Sequence, residues 1–305
     1  MKIIVLLKKD GDDLKGEFLS GHNRLKYLKK LIPNAEFEPF ILKEYDGFMR
    51  RVLKHTSVRN KTEVFNYDGI SYKVIWLKSS FVDTILNMFW GEKFFLYREL
   101  KKFVKKMPLS DLIIAHSYYP GYVASKVSAM RNIPYTVTWH GSDIHSNPKR
   151  NRKLRKKTAR IIEGAFVNYF VSQNLLELSS YVTEKGNKTV LYNGVNNEMF
   201  THLGEKEKTT IRQQHYITTP LNMAFIGNLY PVKNVMVLPD VFNNVQTKYG
   251  DEISFHIIGD GDLRKPLEDK CREKSLRVRF WGNVQPEMIP GIINVMDLIT
   301  LPSLN

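Results

Sequence analysis

Short apolar runs alternate with amphipathic stretches along almost the whole chain, the pattern of strands and helices in parallel sheets covered on both faces. In the first two thirds, Ile3–Leu7, Val74–Leu77, Leu112–Ala115, Tyr135–Trp139, Phe166–Val171 and Thr189–Tyr192 predict strands. Apolar positions at helical spacing, among them Ile85, Leu86, Phe89, Tyr97 and Leu100, predict a long helix over 81–106 with Gly91 as its weak point. Its aromatics read as core. Residues 201–220 (THLGEKEKTTIRQQHYITTP) are polar, lack sustained periodicity and end in proline, which predicts a linker. A fresh alternation follows: strands at Met223–Ile226, Ile253–Ile258, Val278–Trp281 and Leu298–Leu301, with a helix ending near Tyr249 and Gly250. The expectation is an α/β protein with a Rossmann-like domain over 1–200, a linker over 201–220 and a second Rossmann-like domain over 221–305. Four strands with no helix after the last would leave that second domain incomplete, so the pattern predicts a chain that stops short.

Composition fits this division, since 305 residues with 43% hydrophobic side chains suffice for two cores. A single cysteine, Cys271, cannot form an intrachain disulfide, and a reducing cytoplasm is the simpler expectation. The opening apolar run is cut by Lys8, Lys9 and Asp10 before it reaches signal-peptide length. No stretch approaches the roughly 18 apolar residues of a membrane span.

The net charge of +15 is unevenly spread. Residues 1–200 hold 34 Lys and Arg against 19 Asp and Glu, while residues 201–305 hold 12 of each, so the whole excess lies in the first part. Its densest stretch, Lys149–Arg160 (KRNRKLRKKTAR), carries eight basic residues in twelve with no acid. Such a run attracts polyanions, an anionic lipid surface or nucleic acid, or is simply a solvated helix face. It lacks the interleaved aromatics that stack on bases, and no nucleic-acid-binding fold pattern accompanies it, so nucleic acid is not the expected partner.

In open α/β sheets ligands sit outside the carboxyl ends of strands, and three such places are chemically distinctive. His140 follows the strand ending at Trp139 and precedes Gly141, well placed to bond a sugar hydroxyl or a phosphate. The alternative is a plain turn in which Asp143 caps the next helix. Gly227-Asn228-Leu229-Tyr230-Pro231-Val232-Lys233-Asn234 joins a strand to a helix, and its glycine, free N–H groups and Lys233 suit a diphosphate. Pro239 implies that the helix starts late or bends. The turn Gly259-Asp260-Gly261-Asp262 reads as a glycine-rich turn with Asp262 capping a helix, because no further carboxylate or histidine cluster supports a metal. Asn193-Gly194-Val195 reads as a tight turn at the domain boundary.

Eight segments in order, DLIIAHSYYPG, IPYTVTWHGSD, FVSQNLLE, VLYNGV, FIGNLYPVKN, HIIGDGD, VRFWGNV and DLITLPSLN, resemble the family 4 glycosyltransferases of the GT-B fold. The likeness spans the chain and is weakest before residue 110. It implies two Rossmann-like domains facing a cleft, a nucleotide-sugar donor on the C-terminal domain, an acceptor on the N-terminal one, retention of anomeric configuration and no metal or other cofactor. His140 resembles the histidine that contacts the transferred sugar, Lys233 the donor-diphosphate lysine, and Phe280–Val284, with Trp281 and Gly282, the loop whose backbone meets the base. Gly227, Asn228, Gly259, Gly261 and Ser303 complete the implied donor site. Asn228 stands where the family often has arginine, which throws more of the charge stabilisation onto Lys233. The family's paired glutamates would begin just after Asn305, which implies poor transfer by residues 1–305 alone. The N-terminal glycine-rich loop is poorly matched, with Gly11 and Gly16 the nearest candidates. The function implied is a hexosyl-type transfer to a polysaccharide or lipid-linked glycan, with the basic first domain held on the inner face of the cell membrane. A noncatalytic GT-B relative that binds a nucleotide sugar is the alternative.

Overall fold

A computed structural model describes residues 1–9, 16–46, 63–80, 82–83, 86 and 93–304. The chain forms two compact units, Met1–Asn193 and Gly194–Asn305. The division thus falls seven residues before the expected one, and the segment 191–196 is irregular rather than a tight turn.

The first unit is an eight-stranded sheet: β1 (Lys2–Lys8), β2 (Glu36–Asp46), β3 (Val64–Tyr67), β4 (Ile70–Ser79), β5 (Leu112–His116), β6 (Tyr135–Trp139), β7 (Val167–Phe170) and β8 (Lys188–Val190). Its order is β3-β4-β2-β1-β5-β6-β7-β8, with every pairing parallel except β3 on β4. Continuous apolar runs such as Ile3–Leu7 are buried throughout, as strands covered on both faces require. The helices are α1 (Gly16–Leu31), α2 (Phe94–Lys106), α3 (Tyr118–Arg131), α4 (Ser142–His145), α5 (Asn147–Arg150), α6 (Arg152–Gly164) and α7 (Gln173–Leu178). Of the expected helix over 81–106, positions 82, 83 and 86 are helical and α2 runs from Phe94 onward, while Gly91 lies outside the described residues.

β2 and β3 were not expected. Pro39 and the charges of EFEPFILKEYD hide a strand that lies inside the sheet between β1 and β4. Proline is tolerated because Pro39 faces Val5 of β1, while pairing with β4 begins one residue later at Phe40. Glu38 is held by Lys73 of β4 at 2.5 Å.

The second unit is a four-stranded parallel sheet of β9 (Leu221–Ile226), β10 (Ile253–Ile258), β11 (Val278–Gly282) and β12 (Leu298–Ile299), in the order β11-β10-β9-β12. Its helices are α8 (Glu205–Gln214), α9 (Leu238–Tyr249), α10 (Arg264–Glu273) and α11 (Ile289–Asn294). The expected linker therefore contains a helix. Glu207 caps the Gly204 N–H, Arg212 reaches Asp297, and Asn294 accepts the Leu203 N–H, so polar ties hold a helix with no buried residue. Such a helix shows no apolar stripe in the sequence. As Pro239 implied, α9 starts late, at Leu238, after two short 3-10 turns. Asp262 does not cap α10: Leu263 occupies the cap position, and Asp260 serves the turn by accepting the Gly261 N–H and pairing with Arg264.

Candidate functional site

In the first unit the strand order reverses between β1 and β5, which places the switch point beside the carboxyl ends of β5 and β6. Side chains alternate along β6. Trp139 turns into the core, where its indole N–H donates to Asn168 at 3.0 Å, and Thr138 and His140 turn the other way. His140 stacks on His116, the last residue of β5, with ring centroids 5.4 Å apart and a 3.1 Å bond between His140 Nε2 and His116 Nδ1. The His116 ring rests on Gly21 of α1, where a methyl group would lie 3.3 Å from the ring and 2.5 Å from Leu7.

Burial, then the charge of Arg24, pushes the His140 pKa down to about 4, and burial lowers that of His116 as well, with His140 and Arg24 adding to it. Both rings are neutral at physiological pH. Arg24 itself reaches from α1 to the strand ends, donating to Thr138 Oγ1 at 2.8 Å and to the Leu191 carbonyl at 2.9 Å. Asp143 accepts the Gly141 N–H at 3.1 Å through Oδ1, and its buried Oδ2 has no hydrogen-bond partner among the described residues. Burial, with the charge of Glu17 second, raises its pKa to about 7. His140 thus stands at the carboxyl edge of β6, while Asp143 does not cap the next helix as the alternative had it: Gly141 occupies the cap position, and Asp143, inside α4, accepts the Gly141 N–H instead.

In the second unit the switch point lies between β9 and β12. The loop leaving β9 carries Gly227, the exposed Asn228 and the half-buried Lys233. No hydrogen bond or ion pair holds the Lys233 amine among the described residues. The segment after β12 runs beside this loop, its Leu304 N–H donating to Val232 at 2.9 Å, so the exposed Ser303 sits on the same rim.

The other expected donor residues take different positions. Gly259 (φ +126°) bonds to the Gly282 carbonyl at 2.8 Å, and a Cβ there would collide with the Gly227 carbonyl. A Cβ on Gly261 would lie 2.6 Å from the Leu229 carbonyl. These glycines let three loops pack backbone against backbone and so build the rim behind Lys233. Trp281 turns its ring into the sheet, donating to His256 at 3.2 Å with Arg279 stacked 4.1 Å away.

His116 and Arg24 were not singled out from sequence. His116 repeats the placement of His140, a histidine closing a strand, which is a signal the sequence carried. Arg24 gave none, because its partners lie 114 and 167 residues away.

Two α/β sheets, parallel but for the β3–β4 pair, with polar side chains gathered at their carboxyl ends place the chain in the class of GT-B folds, and solved structures agree. HepE of Anabaena, in complex with UDP and glucose, matches with a TM-score of 0.69 over 99% of this chain and 74% of that one, at 18% identity. Sucrose-phosphate synthase of Thermosynechococcus elongatus matches with a TM-score of 0.69 over 99% and 75%, at 15% identity. Residues 207–305 match the family described as Glycosyl transferases group 1. An uncharacterized glycosyltransferase of Methanocaldococcus jannaschii, MJ1178, is 23% identical over 91% of this chain and 67% of its own length. The putative teichuronic acid biosynthesis glycosyltransferase TuaC of Bacillus subtilis is 28% identical over 63% of this chain, which spans about half of that relative (47%).

Proposed function

We propose that this protein is a retaining glycosyltransferase that takes a sugar from a nucleotide-sugar donor and adds it to a polysaccharide or lipid-linked glycan. The observation that carries the reading is Lys233. Its amine has no partner among the described residues, and it stands at the switch point of a β11-β10-β9-β12 sheet, within the segment matching Glycosyl transferases group 1. Negative charge grows on the leaving diphosphate as the glycosidic bond breaks, and a positioned ammonium stabilises that charge more than the ground state. His140, neutral at physiological pH, exchanges a hydrogen bond with a sugar hydroxyl without adding charge there. HepE was solved with UDP and with UDP-glucose, so UDP-sugars are the first donors to try. The TuaC name supports a polymer as acceptor.

The basic run Lys149–Arg160 would hold the first unit on an anionic inner membrane surface. Lys149, Arg150, Arg152, Lys156 and Arg160 are exposed along α5 and α6, which supports that placement. No helix among the described residues is long and apolar enough to cross a membrane.

Thermal-shift screening and calorimetry with UDP-, GDP- and other nucleotide sugars test the donor reading. One nucleotide sugar is expected to bind, and Lys233→Ala should weaken it roughly 10- to 100-fold, the loss of a charged hydrogen bond of about 1.5–3 kcal/mol. Unchanged affinity in Lys233→Ala would remove the diphosphate assignment.

A further inference from the structure

Arg24 is half-buried, and both of its hydrogen bonds go to neutral oxygens, Thr138 Oγ1 and the Leu191 carbonyl. No carboxylate pairs with it among the described residues. By contrast Arg212, Arg264, Arg272 and Arg277 each meet an aspartate or glutamate. A cation drawn out of water without a counter-charge is unfavourable, and burial lowers the pKa of this guanidinium accordingly. Its five N–H groups in a planar fork match a carboxylate or phosphate two bonds at a time, and the two bonds present leave donors for such a partner.

The surroundings suit an anion. Thr138, which anchors Arg24, lies two residues before His140 on β6, and the His116–His140 pair fills the neighbouring strand end. The site therefore combines one fixed positive charge with two imidazoles that donate or accept bonds.

We propose that Arg24 is a specificity-determining residue that recognises an oxyanion, a carboxylate or phosphate, on the molecule that receives the sugar, held beside His140. This inference rests on the proposed function and on the expectation from the family resemblance that the acceptor binds the first unit. A neutral acceptor would leave the guanidinium without a counter-charge, whereas an acidic one would satisfy it, so discrimination comes from a buried group that only the right ligand can pair.

The test is histidine-labelled NMR of the full chain, titrated separately with methyl glucuronide, methyl glucoside and inorganic phosphate. The His116 and His140 ring signals should shift with glucuronide or with phosphate at concentrations at least tenfold lower than with glucoside. Response to glucuronide points to a carboxylate-bearing acceptor, and response to phosphate alone to a phosphorylated one. Arg24→Gln should abolish the preference for the anion, and Arg24→Lys should retain part of it, with thermal unfolding confirming that each variant folds. Responses to glucuronide and phosphate no stronger than the response to glucoside, or an anion preference that survives Arg24→Gln, overturn the role of Arg24 and leave the acceptor placement standing. If no probe moves His140 while a nucleotide sugar still binds the chain, the acceptor placement falls and the Arg24 inference with it. Should Arg24→Gln fail to fold, the comparison of glucuronide and phosphate with glucoside in the unaltered chain and in Arg24→Lys decides the matter.

Discussion

Asp143 gives a pH dependence of stability whose sign and size follow from its surroundings. Its carboxyl pKa rises from the ordinary 3.8 to about 7, through burial first and the charge of Glu17 second. Between those two values the unfolded chain has released the proton and the folded chain keeps it. The folded state then binds more protons, so stability falls as pH rises through this window and levels off above the folded pKa. One pKa unit corresponds to about 1.4 kcal/mol, so the loss between about pH 5 and about pH 8 is on the order of 2–3 kcal/mol. Asp143→Asn cannot ionise and should escape this loss. The variant carries a constant penalty of about 1–3 kcal/mol, because an amide placed at the partnerless Oδ2 position leaves a buried donor unsatisfied. That penalty does not change with pH. The depressed pKa values of His116 and His140 act in the opposite direction, since their stability is lost as pH falls below the ordinary histidine range. Both proteins share that effect, and it cancels in the difference. Urea unfolding of the two proteins at three pH values should therefore show the stability gap moving toward the variant by about 2–3 kcal/mol from pH 5 to pH 8. A gap constant to within about 0.5 kcal/mol would refute the buried-carboxylate argument.

Two further outcomes are expected. Gly259→Ala forces a methyl group onto the Gly227 carbonyl at a φ of +126°, and should destabilise the second unit by roughly 3 kcal/mol or more and weaken nucleotide-sugar binding; thermal unfolding indistinguishable from the unaltered chain would sink the loop-packing account. In vesicle flotation the chain should bind anionic but not neutral membranes, with release at high salt and an approximately tenfold or greater loss in the double variant Arg152→Glu, Lys156→Glu, at about 1 kcal/mol per basic residue; equal binding to neutral and anionic vesicles would end the membrane reading.

Local pattern was enough to find the elements whose burial is uniform. The runs that became β1, β6, β9 and β10 are apolar because each lies between two covered faces, and the strand end at His140 and the loop after β9 that carries Lys233 could be read from that alone. Elements stabilised by polar partners from elsewhere were hidden. β2 carries Pro39 and the charged Glu38, whose partner Lys73 comes from another strand, and α8 depends on Asn294 and Asp297.

The sequence by itself determined the α/β class, the basic excess of the first part, and a histidine and a lysine at the ends of two strands. Tertiary structure decided what those residues meet. Gly259 and Gly261 face other backbones because β9, β10 and β11 are neighbours, and Arg24 comes to Thr138 because α1 crosses toward strands laid down more than a hundred residues later. Strand order and register are non-local, set by the packing of all the elements together, and no window of sequence contains both partners of such a contact.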